Sequence, residues 1–72
     1  MSLAQVKNGK TVSVIRVNAS KTYVLQLAFF GILPGTPLQV INNSLANTSV
    51  VHCRGARLVL GRGLPNCIEV AE

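Results

Sequence analysis

Apolar and polar residues follow a strand-like pattern along most of this chain. The stretch TVSVIRV, residues 11–17, is rich in β-branched residues and predicts a first strand. Further strands are predicted for TPLQVI, SVVHCR, RLVLGR and CIEV, at residues 36–41, 49–54, 57–62 and 67–70. Short strands joined by tight turns favour a small, strongly bent β-barrel over a sandwich.

One segment changes to helical spacing. Between Lys21 and Phe30, apolar residues at positions 23, 24, 27, 28 and 30 form one broad face of a helix. Ser20 is a suitable N-cap, and Gly31 suits the positive φ that commonly follows a helix end. The apolar face of this helix is expected to close one end of the barrel.

Turn residues separate the predicted elements. The capping-box spacing of Ser2 and Gln5 predicts one short helical turn at the start of the chain. Leu33-Pro34-Gly35-Thr36 predicts a tight reversal, and Gly55-Ala56 predicts a second turn. The polar run of residues 42–48 predicts the loop of a hairpin. The fold class is therefore all-β with one inserted helix.

Length and composition indicate the number of domains, the location in the cell and the charge of a partner. A chain of 72 residues fits one domain, residues 1–72. The N-terminus has no continuous apolar stretch typical of a secretory signal, and the longest apolar run, residues 23–33, is shorter than the ~20 residues that span a bilayer. A cytoplasmic protein without a membrane-inserted segment is expected. The net charge of +5 indicates an acidic partner, which could be nucleic acid, an anionic membrane face or an acidic protein.

Catalytic side chains are scarce. The sequence contains no aspartate, and its two acids, Glu69 and Glu72, lie near the C-terminus, so neither a carboxylate pair nor a Ser-His-Asp triad can be assembled. We therefore expect no enzyme. His52, Cys53 and Cys67 are weak candidates for metal ligands, since neighbours on a strand point to opposite faces and only one of His52 and Cys53 can face inwards. No cofactor is expected apart from weak transition-metal binding.

Nucleic acid is not an expected partner. Readers of single strands stack bases on aromatic side chains carried by strands, whereas all three aromatic residues here fall in the predicted helix. The basic residues are dispersed over the first and last thirds of the chain. A solvated basic surface accounts for this distribution better than direct base readout.

The order of these pieces resembles the FeoA family of small proteins associated with the ferrous-iron transporter FeoB. The resemblance runs nearly from end to end. It rests on Leu27 to Gly31 leading into Pro34-Gly35, where the family reads Leu-x-x-Leu-Gly-Leu-x-Pro-Gly, and on Gly55 with Leu58 and Leu60 before Ile68-x-Val70. It implies an SH3-like five-stranded β-barrel.

The same resemblance implies a non-enzymatic accessory role in ferrous-iron uptake. The expected partner is the cytoplasmic GTPase region of a FeoB-type transporter, through which the protein would lie peripherally at the inner membrane. The alternative is a basic small-barrel module for nucleic acid, or a metal-sensing domain like the C-terminal domain of DtxR-type repressors.

Two adjacent aromatic residues suggest where a partner binds. On a helical wheel Phe30 joins Tyr23 and Leu27 and is expected in the core. Phe29 falls beside Gln26 in the most polar sector, where it either folds against a neighbouring leucine or anchors an interface. The hypothetical contact surface comprises Gln26, Phe29, Arg54 and Arg57.

Overall fold

The computed structural model describes residues 1–43 and 47–72 and contains one five-stranded antiparallel sheet. Its strands are β1 (Thr11–Val17), β2 (Pro37–Asn42), β3 (Ser49–Cys53), β4 (Ala56–Leu60) and β5 (Ile68–Ala71). One α-helix, α1 (Lys21–Phe29), lies between β1 and β2, and two 3-10 turns cover Leu3–Gln5 and Leu64–Cys67. No helix in the described residues is long and apolar enough to cross a membrane.

The sheet is bent by two irregularities in strand pairing. Its spatial order is β4-β3-β2-β1-β5, so β1 lies between β2 and β5. The pairing register shifts between Val14 and Arg16 on β1 and between Val40 and Asn42 on β2. Such bulges increase local twist and bend the strand that carries them. The architecture confirms the predicted SH3-like fold with one inserted helix.

Alternating side chains on the strands form a single core. Val12 and Val14 on β1 face inwards with Leu38 and Val40 on β2, as their exposures of 2% or less show. The remaining buried hydrophobic residues come from the N-terminal segment, from α1 and the turn after it, and from the other three strands: Leu3, Val6, Leu27, Ile32, Val51, Cys53, Leu60, Ile68 and Val70. The period-two pattern of the sequence therefore reports the inner face of the sheet correctly.

The first residues are tied to the sheet by one polar side chain. The carboxamide nitrogen of Asn43 donates to the backbone oxygens of Leu3 and Val6, at 2.9 and 2.7 Å. Its carboxamide oxygen accepts a hydrogen bond from the buried Ser49 hydroxyl. The predicted capping interaction is also present, since the Ser2 N–H donates to the Gln5 side-chain oxygen at 3.0 Å. These bonds hold the fully buried Leu3 in the core.

The end of α1 determines which residue enters the core after Leu27. Gly31 has a φ of 89° and donates to the Ala28 oxygen at 2.9 Å, while Ile32 donates to the Leu27 oxygen at 2.8 Å. This pair of bonds is a Schellman motif, in which the residue after the glycine packs back on the last turn. Ile32 is accordingly 1% exposed and belongs to the same core as Leu27.

Phe30 was expected in the core, and that prediction is wrong. Its side chain is 57% exposed, and Tyr23, on the same predicted face, is also exposed. Within α1 only Leu27 is buried, so the helix contacts the sheet along a much narrower strip than its apolar spacing indicates. The reversal at Gly31 brings Ile32 into the core position expected for Phe30.

Smaller differences concern the boundaries of elements. The second predicted turn lies one residue earlier than expected, at Arg54-Gly55, because Ala56 already pairs with Cys53 in the ladder. The 3-10 turn Leu64–Cys67 was not predicted and replaces the first residue of the expected last strand. The predicted hairpin loop at 42–48 falls partly outside the described residues.

Ile32 and Phe30 can be compared by truncation. Ile32→Ala is expected to lower the free energy of unfolding by about 2–5 kcal/mol, because it leaves a cavity in the core. Phe30→Ala, which removes an exposed ring, is expected to cost about 1 kcal/mol or less. Urea unfolding followed by circular dichroism measures both. If Ile32→Ala fails to fold, Ile32→Val provides the comparison at about 0.5–1.5 kcal/mol. A larger loss for Phe30→Ala would contradict the observed core.

Candidate partner-binding surface

Helix α1 carries apolar residues around most of its circumference. Tyr23, Leu25 and Phe29 are all exposed, as are Phe30 and Leu33 just after the helix. A helix with apolar residues on every side is normally buried. Here the sheet covers only one strip of the helix, so an apolar surface remains in contact with solvent.

Phe29 is the most exposed large hydrophobic residue in the described chain, at 87%. Its ring meets the ring of Phe30 edge to face, with centroids 5.9 Å apart and planes at 89°. Edge-to-face packing of this kind is a favourable aromatic geometry. The two rings therefore support each other while remaining largely outside the core, and the exposure of Phe29 agrees with one of the two alternatives left open for it.

The β3–β4 hairpin places a cation against the end of α1. Arg54 and Gly55 both have positive φ, 52° and 80°, and form a two-residue hairpin turn of the type that usually selects Asn or Gly. A Cβ atom built on Gly31 would lie 2.9 Å from Arg54 Cδ and 3.1 Å from Arg54 Nε. The guanidinium stem thus packs directly on Gly31, where the helix dipole favours positive charge.

Of the other two predicted contact residues, one lies on α1 and the other on β4. Gln26 is exposed one turn before the aromatic pair, and its backbone oxygen accepts from the Phe30 N–H at 3.3 Å. Arg57 is exposed on β4, directly opposite His52 in the β3–β4 register. The structure therefore brings Arg54 to the end of the helix that carries Gln26 and Phe29, and places Arg57 farther along the same hairpin.

Both acidic side chains are already paired with cations. Glu69 accepts from Arg16 Nε at 3.0 Å across the β1–β5 pair, and Glu72 lies 3.9 Å from Lys10 Nζ. Such exposed pairs contribute little to stability. The two ion pairs nevertheless determine which cationic side chains are neutralised by a carboxylate. Among the described residues, five cationic side chains have no carboxylate partner: Lys7, Lys21, Arg54, Arg57 and Arg62.

The candidate metal ligands fall in three different environments. Cys53 is buried in the core, while His52 is exposed on the outer face of the same strand, as expected for neighbours on a strand. Cys67 is half-buried at the end of the second 3-10 turn. Within residues 1–43 and 47–72 no three His, Cys, Asp or Glu side chains come together in an arrangement that could hold a metal ion.

A cavity beside the first turn of α1 was not anticipated from the sequence. It has a volume of about 430 Å³ and a mostly apolar lining. Its walls are formed by Ala19, Ser20, Tyr23, Gly61, Arg62, Leu64 and Cys67. The unpredicted 3-10 turn supplies two of these residues, so the strand pattern contained no signal for the cavity. For the exposed apolar surface, in contrast, the sequence did contain a signal, because α1 has apolar residues around most of its circumference.

Comparison with family models assigns the chain to a known family. The model of the FeoA domain matches residues 1–72. The chain belongs to the FeoA family. This agrees with the motif that runs from Leu27 through Pro34-Gly35, which the structure shows to be the Schellman motif and the turn that follows it. No curated protein sequence matches the chain.

Solved FeoA structures share this fold. A FeoA protein from Chlorobium tepidum is 28% identical, with a TM-score of 0.87, over 97% of this chain and 68% of that one. An iron uptake regulatory protein (FeoA) is 22% identical, with a TM-score of 0.83, over 96% of this chain and 90% of that one. Both support the same domain architecture, and membership of the FeoA family supports an accessory role in ferrous-iron transport.

The same fold also occurs within a larger protein. A manganese-dependent transcriptional repressor aligns with 94% of this chain at 24% identity and a TM-score of 0.83, but the match covers only 39% of the repressor. At this identity the likeness shows a shared fold and nothing about shared activity.

The contact between Gly31 and Arg54 can be tested by adding one methyl group. Gly31→Ala and Gly9→Ala both place a Cβ at a φ near +90°, which costs about 1–2 kcal/mol, but only Gly31→Ala also meets a neighbour within 4 Å. We expect Gly31→Ala to lower the free energy of unfolding by about 1 kcal/mol more than Gly9→Ala, because Arg54 must be displaced.

Adding Arg54→Ala to the Gly31→Ala variant should remove this difference. Guanidinium chloride unfolding of the three variants and the parent chain measures it. Equal losses for Gly31→Ala and Gly9→Ala would show that Arg54 does not pack on the helix end in solution.

Proposed function

We propose that this chain is a non-enzymatic adaptor of ferrous-iron uptake that binds the cytoplasmic GTPase region of a FeoB-type transporter and modulates it. Its contact surface comprises Gln26, Phe29, Arg54 and Arg57. The observation that carries the proposal is the aromatic pair at the end of α1, exposed beside the Arg54 turn.

The composition of this surface supports protein binding. Aromatic residues and arginine are enriched at the centres of protein interfaces, where a few of them account for most of the binding energy. Phe29 offers a large apolar area, and its ring is held by Phe30. Arg54 is also held in place, against Gly31, so less side-chain freedom is lost on binding than for a free surface arginine.

The uncompensated charge supports an acidic partner surface. Arg54 and Arg57 belong to the five cations that pair with no carboxylate among the described residues. Complementary charge across an interface accelerates association and favours the correct partner. A patch of aspartate and glutamate on the transporter's cytoplasmic region is the expected counterpart.

Phe29→Ala is expected to weaken binding to the purified cytoplasmic domain of the transporter by about tenfold, as for the loss of a central aromatic anchor. The matched control is Ile15→Ala, which truncates another exposed apolar residue, on β1 and outside the proposed surface. Isothermal titration calorimetry with and without guanine nucleotide measures both. If the two variants bind as tightly as the parent chain, the assignment of Phe29 is wrong.

Arg57→Glu is expected to reduce the association rate several-fold at low salt, and the effect should shrink as ionic strength rises, because salt screens exposed charges. Lys7→Glu makes the same change in net charge at another uncompensated cation and serves as the control. Stopped-flow or surface plasmon resonance measurements at several salt concentrations distinguish the two. Equal effects of both substitutions would indicate a general charge effect and no local contact.

A further inference from the structure

The two edges of the sheet differ in how they are covered. At the β5 edge, the Val70 N–H donates to the Met1 oxygen at 2.8 Å, and Ser2 forms an isolated bridge with Glu69. At the β4 edge, no backbone group in the described part of the chain pairs with the side of β4 that faces away from β3. An uncovered edge strand is a template for pairing with another extended chain.

The hairpin register identifies which backbone groups point outwards. The two-residue turn makes Cys53 and Ala56 a hydrogen-bonded pair, and hydrogen-bonded and non-bonded pairs alternate along an antiparallel ladder. Arg57 and Val59 therefore direct their N–H and C=O groups away from β3. Their side chains are also exposed, Val59 by 67%. The pairing of β4 with β3 is continuous over all five residues, so no bulge bends this edge away from an incoming strand.

The charges along this edge are all of one sign. Arg57 lies on the strand itself, Arg54 lies in the turn before it, and Arg62 follows two residues after its end. None of the three has a carboxylate partner among the described residues, and the segment from Arg54 to Arg62 contains no acid. An added strand that carries carboxylates would compensate this charge.

We infer that β4 binds an extended acidic segment of the partner as an additional strand of the sheet. The inference rests on the proposed function, since the segment is assigned to the transporter's cytoplasmic domain. Backbone hydrogen bonds to Arg57 and Val59 supply the pairing. Alternate side chains supply the specificity: an acidic residue opposite Arg57 and, two positions away, an apolar residue opposite Val59.

A second copy of this chain fits the edge less well. Antiparallel self-pairing centred on Leu58 would bring the two sets of Arg54, Arg57 and Arg62 together without an acid between them. Like charges on paired strands are destabilising. The charge of the edge thus favours an acidic segment over self-association.

Val59→Pro tests the backbone contact. Because the Val59 N–H points away from β3, proline at this position removes an outward donor without removing a bond of the β3–β4 ladder. We expect Val59→Pro to weaken binding to the transporter's cytoplasmic domain at least tenfold. Val59→Thr, which keeps the N–H and the β-branched shape, should stay within about threefold of the parent chain. Thermal unfolding of both variants confirms that they are folded.

Residue-resolved amide exchange by NMR provides a second measurement on the parent chain. In the free protein the amides of Arg57 and Val59 should exchange faster than those of Leu58 and Leu60, which bond to β3. Saturation with the transporter domain should slow exchange at Arg57 and Val59 by at least tenfold.

The possible outcomes separate the inference from the proposed function. If the parent chain does not bind the transporter domain, both fail. If it binds but Val59→Pro binds equally well, or the Arg57 and Val59 amides remain fast in the complex, only the added strand is wrong. A dimer of the chain alone that Val59→Pro dissociates would assign the edge to a second copy and overturn the acidic segment.

Discussion

The turn from Gly31 to Thr36 connects the helix to the sheet, and the exposed surface depends on it. The buried Thr36 hydroxyl donates to the Gly31 oxygen and accepts from the Leu33 N–H, both at 3.1 Å. On the sheet side, the Val14 N–H donates to the Thr36 oxygen at 2.9 Å and the Gly35 N–H donates to the Val14 oxygen at 2.7 Å. The Thr36 side chain thus satisfies polar groups that would otherwise be costly to bury, and the backbones of Gly35 and Thr36 attach this turn to β1.

This attachment explains how a small domain can leave aromatic rings exposed. Leu27 and Ile32, joined by the Schellman motif, fill the core on either side of the helix end. The residues between them, including Phe29 and Phe30, are then held outside. The buried core does not include these rings, so their apolar area remains exposed to solvent. Exposed apolar clusters of this kind are typical of interaction sites.

The basic hairpin and the aromatic helix end form one continuous region of the surface because Arg54 connects them. Its positive φ is an unusual conformation for arginine, and its side chain packs on Gly31. From this turn the hairpin continues into β4, an edge strand that pairs only with β3 among the described residues. The compensated charges, Arg16 with Glu69 and Lys10 with Glu72, lie elsewhere, on β1, β5 and the residues beside them.

Local sequence determined most of the secondary structure. The span of β1, the Ser20 cap and the positive φ of Gly31 were predictable because backbone preferences and side-chain alternation act within a few residues. The exposure of Phe30, the burial of Ile32 and the packing of Arg54 on Gly31 were not. They depend on where the sheet covers the helix and on contacts between residues far apart in the chain. Tertiary structure alone decides which apolar residues of a helix meet the core and which edge of a sheet stays open.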